Sequence, residues 1–319
     1  MSTARRGSKS HRTSDADWSS ASSHERRKRL ATAFVERSST AAIVQRIDQV
    51  RAWGLAGAEP TCILVEGNQG TGKSTFLKRY AEAHPQRQSG GCRVTPVLYV
   101  GFQSDTTPIG VAKTMLYHLM GQSHTSGTKA DLTFRVKEQL RKQKVEVVLG
   151  DDFQHMAERG KHASVSKAAD WIKEAVKDTN IPFVITGTDP VTRLIQENKQ
   201  LDGITPYRYE LGPFRYETQG EKLAFRRFLS ALDRELPFDR DSMLGSDELA
   251  LSLFLSTSGN LRRLCQLIRG AATEAISRDA PCISIDDLAA GFEELASSDR
   301  IIENPFRHGV FSLSQSGRA

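Results

Sequence analysis

Hydrophobic positions recur at two different periods along the chain, and the pattern changes near residue 215. Before that point, short apolar runs alternate with longer segments whose apolar residues are spaced as on one helix face. The runs predict buried strands at residues 61–66, 94–102, 145–149 and 182–186. The segments between them predict helices at residues 72–84 and 108–120, one ending near residue 142, and one at 163–176. Strands alternating with helices indicate a parallel sheet covered by helices on both faces.

Beyond residue 215 only the helical period continues, with no strong strand between its segments. Helices are predicted there at residues 221–232, 247–257, 261–276 and 285–295, and two more, at 24–34 and 41–53, precede the first strand. We therefore expect an α/β domain at residues 24–215, including the N-terminal helices, and a small all-helical domain at 216–303. Residues 304–319 are expected to form a C-terminal tail.

Positive charge is concentrated at the N-terminus. The 319 residues carry 44 Lys and Arg against 38 Asp and Glu, a net charge of +6, and residues 1–30 contribute +5 of it. This segment is rich in serine and arginine, so residues 1–23 predict a disordered basic tail. A basic balance suggests a nucleic-acid partner, but the rest of the chain is nearly neutral. DNA affinity would therefore come from a few basic side chains repeated in an oligomer.

Cysteine and hydropathy patterns favour a cytoplasmic protein with no membrane contact. Cys62, Cys92, Cys265 and Cys282 show no C-x-x-C or Cys/His ligand spacing, which predicts free thiols in a reducing compartment. The eight histidines also lack a metal-binding spacing. No stretch approaches the ~18 consecutive apolar residues of a membrane span, and the N-terminus lacks the apolar run of a secretory signal.

A phosphate-binding motif lies between the first predicted strand and the helix that follows it. Residues 67–74 read G-N-Q-G-T-G-K-S and satisfy G-x-x-x-x-G-K-[ST]. In such a loop backbone amides surround the phosphates, Lys73 reaches the β and γ oxygens, and Ser74 ligates Mg²⁺. The helix N-terminus adds its dipole to the same anion site. The residues predicted to bind ATP and Mg²⁺ here are Gly67, Asn68, Gln69, Gly70, Thr71, Gly72, Lys73, Ser74 and Thr75.

Asp151 and Asp152 follow the third predicted strand, the place where ATP hydrolysis requires an acidic element. Asp151 would hold Mg²⁺ through water, and Asp152 would orient the attacking water as the catalytic base. The alternative is a strand that ends in a solvated acidic turn. Because Asp is one methylene shorter than the Glu that many such ATPases carry at the second position, we expect slow hydrolysis.

Two later positions are candidates to complete the nucleotide site. Thr188, after the fourth predicted strand, could place its hydroxyl near the γ-phosphate as a sensor, or it could cap the following turn. Arg262 lies in Gly259-Asn-Leu-Arg262, at the start of a helix of the second domain, and could fold back over the phosphates. Arg263 is the alternative residue for that role.

The P-loop, the acidic pair, the sensor strand and a helical lid with G-x-x-R together resemble the AAA+ ATPases. Residues 149–155, L-G-D-D-F-Q-H, look like the D-E-x-Q/H-H box of the TniB/TnsC family of transposition ATPases, with His155 as a structural residue. Segments at 181–188, 200–201 and 210–214 match later segments of that family in order, and 24–35, 285–292 and 304–306 are similar to its ends. The resemblance implies an AAA+ P-loop core with a parallel sheet flanked by helices, followed by a small all-helical lid.

That resemblance implies an ATP-dependent regulator of DNA transposition. Proteins of this family assemble on double-stranded DNA as homo-oligomeric rings or filaments. They link a target-selection protein to the transposase, and ATP hydrolysis disassembles the oligomer. Slow hydrolysis would fit a nucleotide that times an assembly rather than one that drives a motor.

Further site residues are implied by the same resemblance. Val35 is assigned to the nucleotide site, and Arg208 is the nearest substitute for an arginine finger, because residues 202–204 read D-G-I where the family often has Arg-Arg-Phe. Gly150 stands where a bulky strand residue is usual, which predicts weaker packing. Pore-facing segments of such rings follow the second strand and include the next helix. In that region this chain has Lys113, Thr128, Lys129 and Arg135 as candidate DNA contacts.

Two other functions remain as alternatives. A replication initiator or loader of the same fold normally carries a DNA-binding winged helix after the lid, and the roughly 100 residues beyond Phe214 leave little length for both. A nucleotide-gated scaffold with negligible turnover would result if Asp152 is too short to activate water. DNA-stimulated phosphate release would distinguish the enzyme from the scaffold.

Overall fold

The computed structural model describes residues 18–102, 107–153, 162–295 and 303–307. The chain divides into two compact units, one formed by Ser38–Gly212 and the other by Met1–Arg37 together with Pro213–Ala319. We call them the α/β unit and the helical unit. The N-terminal tail predicted for residues 1–23 falls mostly outside the described residues, as do Gln154 and His155 of the acidic box.

The α/β unit is built on one parallel sheet. Its strands and helices are β1 (Ile63–Glu66), β2 (Arg87–Ser89), β3 (Cys92–Val94), β4 (Val97–Gly101), β5 (Val147–Asp151), β6 (Phe183–Gly187), β7 (Tyr207–Glu210), α2 (Ser38–Leu55), α3 (Lys73–Glu82), α4 (Pro108–Met120), α5 (Lys129–Lys142), α6 (His162–Thr179), α7 (Asp189–Glu197) and α8 (Lys199–Gly203). The sheet has five strands in the order β4-β5-β6-β1-β7, all parallel, and β2 pairs with β3 in a separate hairpin. The predicted parallel sheet flanked by helices is confirmed.

Alternate strand residues enter different cores on the two faces of this sheet, as the two-residue period of a strand requires. In β5, Val148 packs into the core that includes Met115 of α4 and Trp171 of α6. Its neighbour Leu149 packs instead with Ile43 of α2. Because helices cover both faces, a ligand reaches the sheet at the carboxyl ends of its parallel strands.

Gly150 is the position where the sequence predicted weaker packing, and the structure shows a different outcome. The ring of Phe102 lies so close to it that a Cβ at residue 150 would stand 2.8 Å from Phe102 Cε2. Phe102 also packs edge-on against Phe153, with ring centroids 5.4 Å apart, and both side chains are buried. An aromatic ring at the end of the neighbouring strand β4 therefore fills the place of the missing side chain, and packing is not weakened.

The helical unit contains α1 (Ser23–Thr32), α9 (Gln219–Glu235), α10 (Asp247–Thr257), α11 (Leu261–Ser277) and α12 (Ile285–Glu294). Sequence patterns placed residues 24–37 with the α/β domain, but α1 packs on the helical unit. Arg26 is 4% exposed, and its guanidinium donates to the carbonyls of Pro237 at 3.0 Å and Ala280 at 2.8 Å. Leu30 is buried in the same core. The partners of α1 are thus more than 200 residues away in sequence, beyond the reach of a local pattern.

Several short elements differ from the prediction. Residues 90–91 form the turn of the β2–β3 hairpin, in which Gly90 and Gly91 have φ of 58° and 73°, as tight hairpin turns require. The short helices α7 and α8 were not predicted. Strand β7, which was not among the predicted strands, begins at Tyr207 and includes Arg208. None of the helices in the described ranges is long and apolar enough to cross a membrane.

Candidate nucleotide-binding site

The P-loop connects β1 to α3. Gly70 and Gly72 have φ of 78° and 99°, a backbone region that favours glycine. Gly67 lies against the backbone carbonyl of Leu211, where a Cβ would not fit. Lys73 is buried, and its Nζ donates to the carbonyl oxygens of Gly67 at 2.5 Å and Asn68 at 3.0 Å. The predicted glycines therefore stand where only glycine fits, and the loop folds around the lysine.

The first turn of α3 is available to an anion. Its N-cap is Gly72, and no side chain in the described part of the chain caps it. Helices α1, α4, α5 and α9 to α12 each begin instead at a serine, threonine or asparagine whose side chain accepts an amide hydrogen bond. The N–H groups at a helix start carry a partial positive charge. At α3 these amides suit the phosphates of a nucleotide.

Asp151 is buried, with 1% of its surface exposed, and its carboxylate accepts three hydrogen bonds. The hydroxyl of Tyr99 donates to Oδ2 at 2.8 Å, and the hydroxyl of Thr186 donates to Oδ1 at 2.6 Å. The backbone N–H of Asp152 also donates to Oδ1, at 3.1 Å. These donors come from β4, β6 and the end of β5, so three strands fix the orientation of one carboxylate. A solvated acidic turn does not describe this residue.

The charge of Asp151 acts on Tyr99 in return. Burial raises the pKa of the Tyr99 phenol, and the negative charges of Asp151 and Asp152 raise it further. The hydroxyl therefore remains a proton donor well above neutral pH. Lys78, on α3, places its Nζ 5.7 Å from the centre of the Tyr99 ring. Tyr99 thus lies between the P-loop helix and the acidic pair.

Asp152 leaves the strand in a left-handed conformation, with φ of 57°. Aspartate tolerates this conformation better than most residues do. Its amide lies 3.1 Å from Asp151 Oδ1 and 3.3 Å from Thr186 Oγ1, and its side chain is half-buried. The acidic pair therefore has one buried carboxylate, held by neighbours, and one at the rim.

Thr186 and Thr188 occupy different positions at the end of β6. Thr186 donates the hydroxyl hydrogen bond to Asp151. The carbonyl oxygen of Thr188 accepts a hydrogen bond from the backbone N–H of Val191, at the start of α7. Beside them, Thr192 of α7 donates to Glu66 Oε2 at 2.5 Å. Sequence reasoning missed both Tyr99 and Thr186. The signal that could have found Thr186 is a lone hydroxyl in a strand that is otherwise apolar and buried.

The remaining predicted nucleotide residues are spread over both units. Arg208, the candidate finger, is ion-paired with Asp202 in the same chain. Val35 and Arg262 belong to the helical unit, where Val35 packs against the hydrophobic core and Arg262 is exposed near the start of α11. The backbone amide of Arg263 donates to the Asn260 side chain that caps the helix.

The four candidate DNA contacts differ in how free their side chains are. Lys113 on α4 and Lys129 at the start of α5 are exposed. Thr128 caps α5 in a reciprocal pair with Asp131. Arg135 donates to the carbonyl oxygens of His124 at 2.9 Å and Ser126 at 2.5 Å, so its guanidinium holds the preceding loop. The two lysines are the more available of the four.

Residues suited to Mg²⁺ are few. Across the described ranges, no group of three or more His, Cys, Asp and Glu side chains is placed to hold a metal ion. Ser74 is half-buried on the first turn of α3, and Asp151 keeps limited acceptor capacity because a carboxylate has about four lone-pair positions. This donor set fits an ion held mainly by nucleotide phosphates and water, with one serine and one carboxylate from the protein.

Comparison with solved structures identifies the fold. The chain is similar to the Aeropyrum pernix ORC1 protein in complex with DNA, with a TM-score of 0.58 and 17% identity over 84% of this chain and 69% of that chain. The Aeropyrum pernix ORC2 protein, in ADPNP–ADP complexes, gives 0.57 and 16% over 86% and 73%. Cdc6p from Pyrobaculum aerophilum gives 0.59 and 14% over 84% and 70%. At these identities the likeness shows the fold alone, which is the AAA+ fold.

Comparison of sequences identifies the family. No curated protein matches the chain. The family model described as bacterial TniB protein matches residues 29–204, more than half of the chain, and that range includes the P-loop and the acidic pair. The resemblance drawn from the sequence is thereby confirmed. The chain belongs to the bacterial TniB family of proteins.

Proposed function

We propose that this protein is an ATP-dependent, DNA-binding regulator of transposition that assembles as a ring or filament on duplex DNA. The observation that carries the proposal is the placement of the P-loop, with buried Lys73, and of the fixed carboxylate of Asp151 at the carboxyl ends of two parallel strands, β1 and β5, of an AAA+ sheet. Membership of the TniB family supports the role in transposition. In that role the oligomer would link a target-selection protein to the transposase.

In this proposal each residue of the site has a defined task. The amides of residues 67–74 and the ammonium of Lys73 bind the β- and γ-phosphates. Ser74 and Asp151 hold Mg²⁺, which supplies charge neutralisation on the phosphates when bound. Asp152 accepts the proton of the attacking water. Thr188 senses the γ-phosphate, and the chain's own Tyr99 and Thr186 keep Asp151 in one orientation.

Slow hydrolysis follows from the short side chain of Asp152, which leaves the base farther from the nucleotide than a glutamate would. The same observation favours a second candidate, a nucleotide-gated scaffold with negligible turnover. Arg208 as arginine finger would have to exchange Asp202 for a phosphate of the neighbouring subunit. The nucleotide site of one subunit would then be complete only when a neighbouring subunit is bound to it in the oligomer.

DNA binding in this proposal rests on exposed basic residues and on structural likeness. Lys113 and Lys129 are exposed on the α/β unit, and the similar ORC1 protein was solved in complex with DNA. Phosphate contacts made by lysine are independent of sequence and weaken with salt. Repetition around an oligomer would multiply a small affinity per subunit.

Nucleotide dependence is tested by phosphate release with and without duplex DNA. Lys73→Ala should lose ATP binding, whereas Arg79→Ala, on an exposed part of the same helix, should retain it. Asp152→Asn should bind ATP and assemble but release phosphate more slowly. Release that DNA leaves unchanged would favour the scaffold, and turnover as fast as that of motor ATPases would contradict slow hydrolysis.

Assembly is tested by electron microscopy of the protein with duplex DNA and a slowly hydrolysed ATP analogue. Rings or filaments are expected at low salt, and they should persist longer with Asp152→Asn than with the wild type when ATP replaces the analogue. Lys113→Ala combined with Lys129→Ala should weaken DNA binding and reduce its salt dependence. Monomers alone at low salt would contradict the oligomer.

A further inference from the structure

The helical unit carries a groove along the exposed side of α9. It has a volume of about 390 Å³ and is lined by Leu223, Arg227, Ser230, Ala231, Arg234 and Gly245. The first five follow a helical spacing of four, three, one and three residues, so they share one face of α9. The glycine lets its turn approach the helix, because a Cβ there would stand 2.7 Å from the carbonyl oxygen of Arg226.

Two arginines of this groove are available to a partner. Arg226, at the groove wall, already donates to the carbonyl of Gly245 at 2.9 Å and pairs with Asp247 at 2.5 Å. Arg227 and Arg234 are exposed and make no ion pair with any residue that the structure describes. They are seven residues apart, which places them roughly 10 Å apart along the helix.

The mixture of arginines and apolar side chains in the groove suits a protein partner better than a nucleic acid. Leu223 is 46% exposed and lies on the same face as Ala231. A phosphate backbone would pair with the arginines but leave these apolar groups without a partner. A helix that carries both carboxylates and apolar side chains would cover both kinds of residue.

Such a helix face exists in the same chain, on α12. Ile285 is 50% exposed, and Asp286, Ala290 and Glu294 are exposed at a spacing of four residues. Asp286 and Glu294 make no ion pair within the described residues and lie roughly 12 Å apart along the helix. Arg307 neutralises the adjacent Glu293. The exposed face therefore presents two carboxylates with apolar groups between and beside them.

We infer that the α9 groove of one copy binds the exposed face of α12 of a second copy, with Arg227 and Arg234 facing Asp286 and Glu294. This inference rests on the proposed oligomer and names a surface that joins its subunits. The charges set the register and exclude wrong pairings, while Leu223 and Ala231 bury apolar area against Ile285 and Ala290.

The proposed contact is head to tail. Within the helical unit α9 packs on α10, α10 on α11 and α11 on α12, so the two surfaces belong to different helices of the series. When each copy offers its groove to one neighbour and its α12 face to another, a dimer leaves one surface of each kind free at its ends. Repetition then produces a ring if the rotation closes and an open filament if it does not.

Charge reversal tests the pairing. The full chain is studied by sedimentation velocity with duplex DNA and a slowly hydrolysed ATP analogue. Arg227→Glu with Arg234→Glu should raise the concentration for half-maximal assembly about tenfold or more, because like charges would face each other. Asp286→Arg with Glu294→Arg should have the same effect. The two variants mixed in equal amounts should assemble again, because each supplies the charge that the other lacks.

Controls separate this inference from the proposed function. Lys177→Glu with Lys199→Glu makes the same change of net charge on the α/β unit and should leave assembly unchanged. An unfolding transition of the helical unit like that of the wild type shows that the reversed variants are folded, because the substitutions lie in that unit. If they assemble like the wild type, or if the mixture fails to recover, the pairing is overturned while the DNA-bound oligomer stands. A wild type that never assembles contradicts both.

Discussion

Tyr99→Phe removes one oxygen atom from the acidic centre of the α/β unit and leaves the ring in place. In the wild type the phenol donates to Asp151 Oδ2 at 2.8 Å. The carboxylate, 1% exposed, would keep the hydroxyl of Thr186 and the amide of Asp152 as donors on its other oxygen. The substitution therefore leaves Oδ2 without its hydrogen bond.

The size of the effect follows from that geometry. A hydrogen bond to a charged group contributes about 1.5–3 kcal/mol to the free energy of unfolding. Tyr99 is only half-buried, so water can partly replace the lost donor. We therefore expect Tyr99→Phe to lower the free energy of unfolding of the α/β unit by about 1.5–2 kcal/mol.

Urea unfolding followed by tryptophan fluorescence measures this change. In a Trp18→Phe background the remaining tryptophans, Trp53 and Trp171, both lie in the α/β unit. Tyr117→Phe is the matched control, because Tyr117 is 54% exposed and its change should stay within about 0.5 kcal/mol. If Tyr99→Phe unfolds with the free energy of Tyr117→Phe, the phenol does not stabilise the buried carboxylate and the reasoning is wrong.

The stabilisation should depend on pH in one direction. Burial, followed by the charges of Asp151 and Asp152, raises the pKa of Tyr99 in the folded state. In the unfolded chain a tyrosine ionises near its ordinary pKa of about 10. Above that pH the unfolded state loses its proton first, so stability falls as pH rises. The difference between wild type and Tyr99→Phe should be constant from about pH 6 to 9 and shrink above about pH 10.

Three other perturbations have defined outcomes. Gly150→Ala should lower the free energy of unfolding by about 1–3 kcal/mol, because the new Cβ meets the Phe102 ring, and Phe102→Leu should recover part of the loss. Arg26→Met should cost about 2–4 kcal/mol in chemical denaturation of the helical unit, because two carbonyl groups lose their donor; an unchanged transition would contradict this. Alkylation followed by mass spectrometry should modify exposed Cys92 in the folded protein, whereas burial raises the pKa of Cys62 to about 12 and should protect it until unfolding.

Elements with a long, regular pattern were predictable from the chain. Four of the five sheet strands were predicted because each is a short apolar run bounded by turn residues, and α10 was predicted with its bounds, Asp247–Thr257. The short helices α7 and α8, of nine and five residues, were not found. A helix of this length has too few turns for a period to show, and tertiary packing rather than propensity supports it.

Long-range contacts account for the other differences. Nothing near Arg26 in sequence indicates that its guanidinium is buried against carbonyl groups more than 200 residues away. For that reason α1 was predicted to belong to the α/β domain, whereas it packs in the helical unit. A glycine in a strand indicates reduced packing on average. At Gly150 the ring of Phe102 fills the space, which only the folded path of the chain reveals.

The sequence by itself determined where phosphate would bind, because the P-loop is local. Its glycines, Lys73 and the strand and helix beside it all lie within about twenty residues. Tertiary structure decided what surrounds Asp151, since Tyr99 and Thr186 reach it from two other strands. It also paired Arg208 with Asp202. A local motif fixes backbone conformation, whereas the environment of a buried charge depends on which strands the fold places side by side.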